Sequence, residues 1–252
     1  MKLKDKINNI RKRLNCGKTS IGSWMQVPHP DIAQIICNNN YDWVTLDLEH
    51  GSGTMSDVPK ISRVINNSGS AFLIRIEEGN FPNIQRFLDF GVGGIIFSKI
   101  EDAKIFKQTL KKIYYPPKGT RGYGYCIEND FGKKKIDLED LKFKPLSVAM
   151  IETKNGLKNI DKISKIKDLD AIFVGPYDLS ISLGIPGEFI NKIFKEALNK
   201  IISICKKNNK PFGIHVVEPS PKEVKERINQ GFHLISYSLD TFCLSKSLKK
   251  PL

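Results

Sequence analysis

The feature that most constrains the fold of this chain is the regular alternation of short apolar segments with longer amphipathic ones. Each apolar segment is rich in β-branched and aromatic residues and ends at a polar residue or a glycine, which is typical of buried parallel strands followed by helices. We predict eight strands: 19–27, 41–48, 71–76, 94–98, 147–151, 171–174, 212–217 and 234–238. We predict helices over 4–15, 31–37, 56–65, 82–90, 101–113, 155–165, 188–207 and 222–230, with a further helix after the last strand.

Eight such units in 252 residues predict a closed (β/α)8 barrel, which typically takes about 250 residues as one domain. A doubly wound nucleotide-binding sheet is disfavoured because no GxGxxG motif follows the first strand. We therefore expect a single α/β domain over residues 1–252, a (β/α)8 TIM barrel whose N-terminal helix, about 4–15, covers one end.

One segment, about 114–146, departs from this alternation. It contains the run YYPPKGTRGYGY and then polar and basic residues. Long segments without regular structure in a compact domain are often lids or binding loops. The glycines around Arg121 suggest an anion cradle, although the segment is not a Walker motif and does not open a helix after a strand.

Charge and cysteine content exclude several other classes of protein. The net charge of +13 comes mostly from lysines that alternate with apolar positions in the predicted helices, which indicates solvated helix faces and no nucleic-acid partner. Five scattered cysteines without CxxC spacing predict reduced thiols. No apolar run approaches the roughly 20 residues of a membrane helix, and no signal peptide is evident. We therefore predict a cytoplasmic protein without a membrane partner.

Polar side chains appear where several predicted strands end. The second strand ends in Asp47, Glu49 and His50, the third contains Arg75, and the fifth and sixth are followed by Glu152 and Asp178. In a (β/α)8 barrel the functional groups lie at the carboxyl ends of the strands. We therefore expect these residues, which are far apart in the chain, to surround one opening of the barrel.

The residue types at this opening indicate metal-assisted chemistry on an oxyacid. Two facing carboxylates, Glu152 and Asp178, either share a proton or bind a cation, and oxygen ligands suit Mg2+, Mn2+ or Co2+. Arg75 stays protonated and can stabilise an enolate or carboxylate oxygen. His50 can transfer a proton near neutral pH, with Asp47 orienting its ring.

The same residues lie in segments that resemble the metal-dependent class II pyruvate aldolases of the HpcH/HpaI family. This family includes 2,4-dihydroxyhept-2-ene-1,7-dioate and 2-keto-3-deoxy sugar-acid aldolases. The matching segments are YDWVTLDLEHG (41–51), LIRI (73–76), YPPKGTRG (115–122), IET (151–153) and FVGPYDLS (173–180). The resemblance implies a barrel of the phosphoenolpyruvate/pyruvate superfamily, assembled as a homo-oligomer, usually a hexamer of domain-swapped dimers.

The resemblance also implies roles by position. Glu152 and Asp178 would be the metal ligands, His50 with Asp47 behind it would transfer the proton, and Arg75 would hold the keto oxygen. After Gly175, the backbone amides of Tyr177 and Asp178 would receive the substrate carboxylate. Glu49 would support these residues from outside the substrate-contacting ring.

Two positions differ from the pattern of the family. Met150 stands two residues before Glu152, where many members have a Gln that contacts the pyruvyl group, which implies a different substrate pose or donor. Tyr177 stands where a small residue is common, which implies a narrower pocket. The segments 52–54 and 125–146 also look unusual, and we expect them to set the specificity for the aldehyde.

We therefore predict a divalent-metal-dependent carbon–carbon lyase that joins or separates a pyruvyl (2-keto acid) unit and an aldehyde. Its substrate would be a 2-keto-3-deoxy sugar acid or a related hydroxy-keto acid. Three alternatives stay open: a lyase of malyl- or citramalyl-thioester type, a non-catalytic binding protein, which Met150 would favour, and a Schiff-base aldolase. The last would need a lysine at a strand end, for which Lys99 is the candidate.

Overall fold

Eight parallel strands form a closed barrel in the computed structural model, which describes residues 1–133 and 138–248. Each strand pairs with its neighbours in the sequence, and the last strand pairs with the first. The strands are β1 (Ser20–Met25), β2 (Trp43–Asp47), β3 (Ala71–Ile76), β4 (Gly94–Phe97), β5 (Leu146–Ile151), β6 (Ala171–Val174), β7 (Phe212–Val216) and β8 (Leu234–Leu239). The predicted (β/α)8 barrel is confirmed, and the predicted strand boundaries differ by no more than two residues.

Helices cover the outside of the barrel. They are α1 (Leu3–Asn15), α2 (Pro30–Cys37), α3 (Val58–Asn67), α4 (Ile84–Asp89), α5 (Ala103–Leu110), α6 (Leu138–Leu141), α7 (Lys154–Ser164), α8 (Pro176–Ser182), α9 (Lys192–Lys207), α10 (Pro221–Gln230) and α11 (Asp240–Ser247). Short 3-10 helices span Glu78–Asn83, Lys111–Ile113 and Ile127–Gly132. None of the helices in the described part of the chain has the length and apolar content needed to cross a membrane.

The predicted helix over 188–207 corresponds to α9, which begins later than predicted, and the short helix α8 before it was not predicted. Gly184 and Gly187 adopt left-handed backbone conformations (φ 82° and 74°) between α8 and α9, so α9 begins only at Lys192, where the Asn191 side chain accepts a hydrogen bond from the backbone N–H of Ile193. Asn is a favoured residue before the first helical turn for this reason. The single-domain organisation over 1–252 stays a prediction, and residues 134–137 and 249–252 lie outside the described part.

The strands are buried on both faces because helices cover one face and the barrel interior the other. Inside the barrel, Gly22 makes room for the indole of Trp43, because a Cβ on Gly22 would lie 2.0 Å from that ring. At the amino end, the apolar side of α1 packs into this interior through Ile7, Ile10 and Leu14. The predicted N-terminal helix therefore closes this end of the barrel, and ligands must enter from the other.

The segment predicted as a long loop holds Arg121 in an internal ion pair. The guanidinium is 2% exposed, lies 2.7 Å from the Asp89 carboxylate, also pairs with Glu128, and stacks over the ring of Tyr115 at 4.6 Å. The anion cradle suggested for Arg121 is therefore wrong, because two carboxylates already neutralise the charge. Carboxylate oxygens of these two acids also lie within 4.8 Å of the Cys126 thiol, but the same guanidinium occupies them.

Candidate active site

A cavity of about 190 Å³ opens at the carboxyl ends of the strands, and we call it the barrel cavity. Its lining contains most of the site residues that the sequence predicts. These are Asp47, His50, Arg75, Met150, Glu152, Gly175, Tyr177 and Asp178. They lie in or just after β2, β3, β5 and β6, so the closed sheet brings together side chains from four separate parts of the sequence. The volume is below the roughly 300–1,000 Å³ of drug-sized pockets, which suits a small metabolite.

Arg75 is held against Asp47 by paired hydrogen bonds. The two residues are partners in the β2–β3 register. Arg75 Nε donates to Asp47 Oδ1 at 2.9 Å, and the terminal Nη2 donates to Oδ2. Trp24 Nε1 donates to the same Oδ2 at 3.1 Å. Burial alone would raise the pKa of Asp47, but the Arg75 guanidinium and these hydrogen bonds hold that pKa below its ordinary range. Asp47 therefore stays ionised and orients Arg75.

Asp47 does not orient the His50 ring as predicted. Its Oδ1 instead accepts hydrogen bonds from the backbone N–H groups of Glu49 and His50, at 3.0 and 3.1 Å. The physical reason is that Arg75 and Trp24 already occupy the carboxylate on its other sides. Asp47 thus fixes the turn that carries His50, while the imidazole itself stands exposed at the rim of the barrel cavity. Gly51 is required next, because a Cβ there would lie 2.3 Å from the Asp47 carbonyl oxygen.

Glu49 lies behind Arg75 and is absent from the lining of the barrel cavity. Its side chain is 3% exposed and forms ion pairs with Arg75 Nη1 at 3.4 Å and Lys99 Nζ at 3.1 Å. These contacts suit the supporting role predicted for Glu49. The Glu49 carboxylate adds a second negative charge, besides that of Asp47, that holds the Arg75 guanidinium in place.

Glu152 is a buried carboxylate at the end of β5. Its Oε1 accepts a hydrogen bond from the Lys99 backbone N–H at 2.7 Å, and the residue is 1% exposed. Burial, together with the nearby Glu49 and Asp178 carboxylates, raises the pKa of Glu152 to about 7, although the Lys99 hydrogen bond and the Arg75 charge oppose this. A bound cation would favour the ionised form of Glu152, which burial and the neighbouring carboxylates disfavour.

The backbone of Gly175 passes close to Oε2 of Glu152, the oxygen that does not accept the Lys99 hydrogen bond. A Cβ on Gly175 would lie 2.5 Å from Glu152 Oε2, so any other residue at position 175 would displace the carboxylate. Asp178, one turn further along α8, lies on the same cavity wall. Oxygen donors from two acidic side chains beside open space are the ligands that hard divalent ions prefer. Glu152 and Asp178 therefore fit a divalent cation, and they are the residues that would hold it.

Met150 and Tyr177 both line the barrel cavity, but Met150 is buried in its wall whereas Tyr177 is partly exposed. Met150 is 3% exposed, and its Sδ packs against Gly175, 3.3 Å from where a Cβ would stand. The cavity wall therefore presents the thioether of Met150 at this position. The Gln that many family members have here would instead present an amide that can form hydrogen bonds. The ring of Tyr177 is 45% exposed and packs edge-on against Phe189 at 4.9 Å between ring centroids. Tyr177 therefore leans outward, at the rim of the barrel cavity.

The cavity lining also contains Trp24 and His215, which are not among the site residues predicted from the sequence. Their rings stack at 5.0 Å between centroids with 29° between the planes. His215 Nε2 lies 3.0 Å from the backbone carbonyl oxygen of Ser238. Burial lowers the pKa of His215 to about 4, and the nearby Arg75 charge acts in the same direction. The available signal was a polar residue at an alternate position of an otherwise apolar strand, with Ile214 and Val216 on either side.

Comparisons with known proteins agree with this geometry. The family model described as HpcH/HpaI aldolase/citrate lyase matches residues 20–247. The chain is 28% identical to a hydroxypyruvate/pyruvate aldolase from Roseobacter denitrificans, over 93% of this chain and 91% of that protein. It is 27% identical to a 4-hydroxy-2-oxovalerate aldolase from Novosphingobium aromaticivorans, over 95% and 91%. The crystal structure of an HpcH/HpaI aldolase from Desulfitobacterium hafniense superimposes with a TM-score of 0.86 at 26% identity, covering 94% of this chain and 92% of that one.

Proposed function

The chain belongs to the HpcH/HpaI aldolase/citrate lyase family, and from this premise we propose that it is a divalent-metal-dependent aldolase. It would cleave or form the carbon–carbon bond between a pyruvyl (2-keto acid) unit and an aldehyde. The observation that carries the proposal is that Arg75 and the Glu152 and Asp178 carboxylates line one small cavity. The relatives named as aldolases support the reaction class.

Glu152 and Asp178 would hold the metal, and Mg2+, Mn2+ and Co2+ are the candidates. When bound, such an ion supplies Lewis-acid polarisation of the 2-keto acid. The two carboxylates contribute the negative charge that keeps the cation in place. We propose a 2-keto-3-deoxy sugar acid or a related hydroxy-keto acid as the substrate of cleavage.

Arg75 would bind the keto oxygen of the pyruvyl unit and stabilise the negative charge that develops there. Its guanidinium reaches the cavity already oriented by Asp47, and a preorganised donor costs little reorganisation during the reaction. The backbone amides of Tyr177 and Asp178, which follow Gly175, would receive the substrate carboxylate. Trp24 and Phe173 line the same cavity and would exclude water from the enolate.

His50 would move the proton. At the cavity rim its imidazole can take the proton from the hydroxyl of the aldol, after which the carbon–carbon bond breaks and the bonding electrons pass to the enolate. The aldehyde leaves, and a proton returned to carbon 3 completes the formation of pyruvate. Asp47 would contribute by fixing the turn that carries His50 and by aligning Arg75.

The direct test is an aldol assay with pyruvate and a panel of hydroxyaldehydes, before and after treatment with EDTA. We expect carbon–carbon bond formation that EDTA abolishes and that added Mg2+, Mn2+ or Co2+ restores, with the ranking of the three ions identifying the preferred metal. Activity that survives complete removal of metal would overturn the metal-dependent mechanism. Failure with every 2-keto acid would overturn the aldolase assignment itself.

Lys99 should not form a Schiff base. The Glu49 carboxylate raises the pKa of Lys99 through a hydrogen bond and its charge, whereas an amine that attacks a carbonyl must lose its proton. We expect sodium borohydride with pyruvate to leave the mass of the protein unchanged, and Lys99→Met to keep measurable aldolase activity. Covalent trapping of pyruvate on Lys99 would contradict this expectation and favour the Schiff-base alternative.

We propose that the chain forms a homo-oligomer, a hexamer or trimer of dimers, in the cytoplasm. Large apolar side chains are exposed around α8 and α9, with Ile181 60% and Ile190 85% exposed, and such surfaces often mark subunit interfaces. The five cysteines are free thiols, which suits a reducing compartment. Light scattering in solution tests the assembly, and a monomeric mass would overturn it.

A further inference from the structure

Four side chains of alternating charge form a chain of contacts beside the barrel cavity, and its outer member is Lys99. Asp47 pairs with Arg75. The Arg75 Nη1 atom lies 3.4 Å from Glu49 Oε2, and Glu49 Oε1 lies 3.1 Å from Lys99 Nζ. The first three side chains are at most 10% exposed, whereas that of Lys99 is 52% exposed. The reaction proposed above assigns no role to the Lys99 ammonium.

Arg75 lies between two carboxylates, and their charges affect how well it can bind an anion. Asp47 alone neutralises the guanidinium, and Glu49 adds a second negative charge beside it. A group that stabilises an enolate oxygen must present positive charge to it. Lys99 offsets the charge of Glu49, so the four side chains together are neutral. Without the ammonium they would carry one net negative charge beside the guanidinium.

The same charge balance extends to the carboxylates that would hold the metal. Glu49, and more weakly Glu152 and Asp178, raise the pKa of Lys99 through their charges, so the ammonium is within electrostatic reach of all three. With Glu152 and Asp178 ionised, the six side chains carry two net negative charges, which a divalent cation neutralises. Removal of the ammonium adds a third, so the site would hold a divalent cation more tightly.

The backbone of Lys99 contacts the same group of residues. Its N–H donates to Glu152 Oε1 at 2.7 Å, and the residue adopts a left-handed conformation with φ of 52°. Such a conformation is uncommon for residues other than glycine and is concentrated at functional sites. Lys99 therefore holds Glu152 by its backbone and Glu49 by its side chain, and it links a candidate metal ligand to the ion pairs of Arg75.

We propose that Lys99 is a positioning residue that sets the charge balance of the aldolase site. Acting through Glu49, its ammonium preserves the positive charge with which Arg75 stabilises the enolate oxygen. The same ammonium lowers the affinity of the site for the divalent cation. Lys99 forms no bond to the substrate in this role. The inference rests on the proposed aldolase function and adds a residue to which that function assigns no part.

The test measures two quantities in Lys99→Met, which keeps an unbranched side chain and removes the charge. One is the dissociation constant of Mn2+ from the protein, measured by electron paramagnetic resonance. We expect it to fall on the order of fivefold. The other is kcat/KM for the aldol reaction of pyruvate with one aldehyde at saturating Mn2+. We expect it to fall on the order of 10-fold, which is less than the loss of a donor that binds the oxyanion directly.

Tighter metal binding together with slower turnover separates a charge effect from a structural defect, which would weaken both. Lys99→Arg keeps the charge and should restore both values. Glu49→Gln removes one negative charge and should weaken Mn2+ binding. The double variant Lys99→Met, Glu49→Gln should return to the wild-type dissociation constant, because the two charges cancel. Lys107→Met is the matched control, because Lys107 is an exposed lysine on α5, and it should change neither value.

The Mn2+ measurement does not depend on turnover, so the inference and the aldolase function can fail separately. Unchanged or weaker Mn2+ binding in Lys99→Met, or failure of Lys99→Arg to restore the wild-type values, would overturn the inference while wild-type aldolase activity stands. Absence of turnover in the wild type, with the expected order of Mn2+ dissociation constants, would overturn the aldolase function and support the charge balance set by Lys99.

Discussion

Glu152→Gln is expected to abolish most of the aldolase activity and yet stabilise the metal-free protein. Gln keeps the shape and an acceptor for the Lys99 N–H but removes the charge that would hold the cation. Loss of Lewis-acid polarisation is worth several kcal/mol of barrier, so kcat/KM should fall on the order of 1,000-fold. Added Mg2+ or Mn2+ should raise the melting temperature of the wild-type protein and leave that of Glu152→Gln unchanged.

The gain in stability follows from the raised pKa of Glu152. Between its ordinary value of 4.5 and the value of about 7 in the fold, the folded protein holds a proton that the unfolded chain has released. The metal-free wild-type protein should therefore lose stability as the pH rises through this window, by on the order of 3 kcal/mol. Glu152→Gln has no such group and should lack this loss.

Urea denaturation of metal-free protein at pH 5 and pH 8 measures the effect. Glu196→Gln is the control, because Glu196 is an exposed acid on α9 whose ion pair with Lys192 spans 3.8 Å and should contribute little. If Glu152→Gln lost stability at pH 8, or still gained stability from metal, the assignment of Glu152 as a buried metal ligand would fail.

Arg75→Leu is expected to cost more stability than any other single change at the site. It leaves Asp47, which is 0% exposed, as a buried carboxylate without its cation, and breaking a buried ion pair typically costs about 3–5 kcal/mol. The retained hydrogen bonds from Trp24 and two backbone amides place the expected cost near the lower end of that range. Activity should fall on the order of 1,000-fold, because the keto oxygen loses its charged donor.

Asp47 should make the folding stability of Arg75→Leu depend on pH with the opposite sign to its contribution in the wild type. In the wild type, the lowered pKa of Asp47 gives stability that is present above its ordinary pKa and is lost as the pH falls through the lowered value. Without Arg75, burial should raise the pKa of Asp47, so Arg75→Leu should become more stable as the pH falls toward 5. Urea denaturation at several pH values measures both slopes.

The double variant Arg75→Leu, Asp47→Asn separates stability from function. Neutral Asn removes the unpaired charge and still accepts hydrogen bonds, so the double variant should be more stable than Arg75→Leu alone. It should stay inactive. If the double variant were no more stable than the single one, the cost of Arg75→Leu would come from lost packing around Trp24, over which the guanidinium lies at 5.3 Å.

The barrel, and the presence of several charged residues at one of its openings, were predictable from the sequence. Eight short apolar segments such as 171–174 carry their signal locally, because a strand covered on both faces must be apolar at nearly every position. Once the barrel is inferred, Arg75, Glu152 and Asp178 must lie at one opening, because the carboxyl ends of all eight strands are at the same end of the barrel. The short helix α8 was not predicted, and α9 begins later than predicted because Asn191 caps its first turn.

The sequence by itself determined the strands, their order and the set of charged residues that faces the barrel cavity. The tertiary structure alone decided which of those residues pair. Asp47 pairs with Arg75 and with two backbone N–H groups, whereas the sequence suggested that it orients the His50 ring. Arg121 is neutralised by Asp89 and Glu128, and His215 lies in the cavity wall. The physical reason is that hydrogen bonds and ion pairs depend on distances of a few ångströms between residues remote in the chain, whereas strands and helices follow from neighbours.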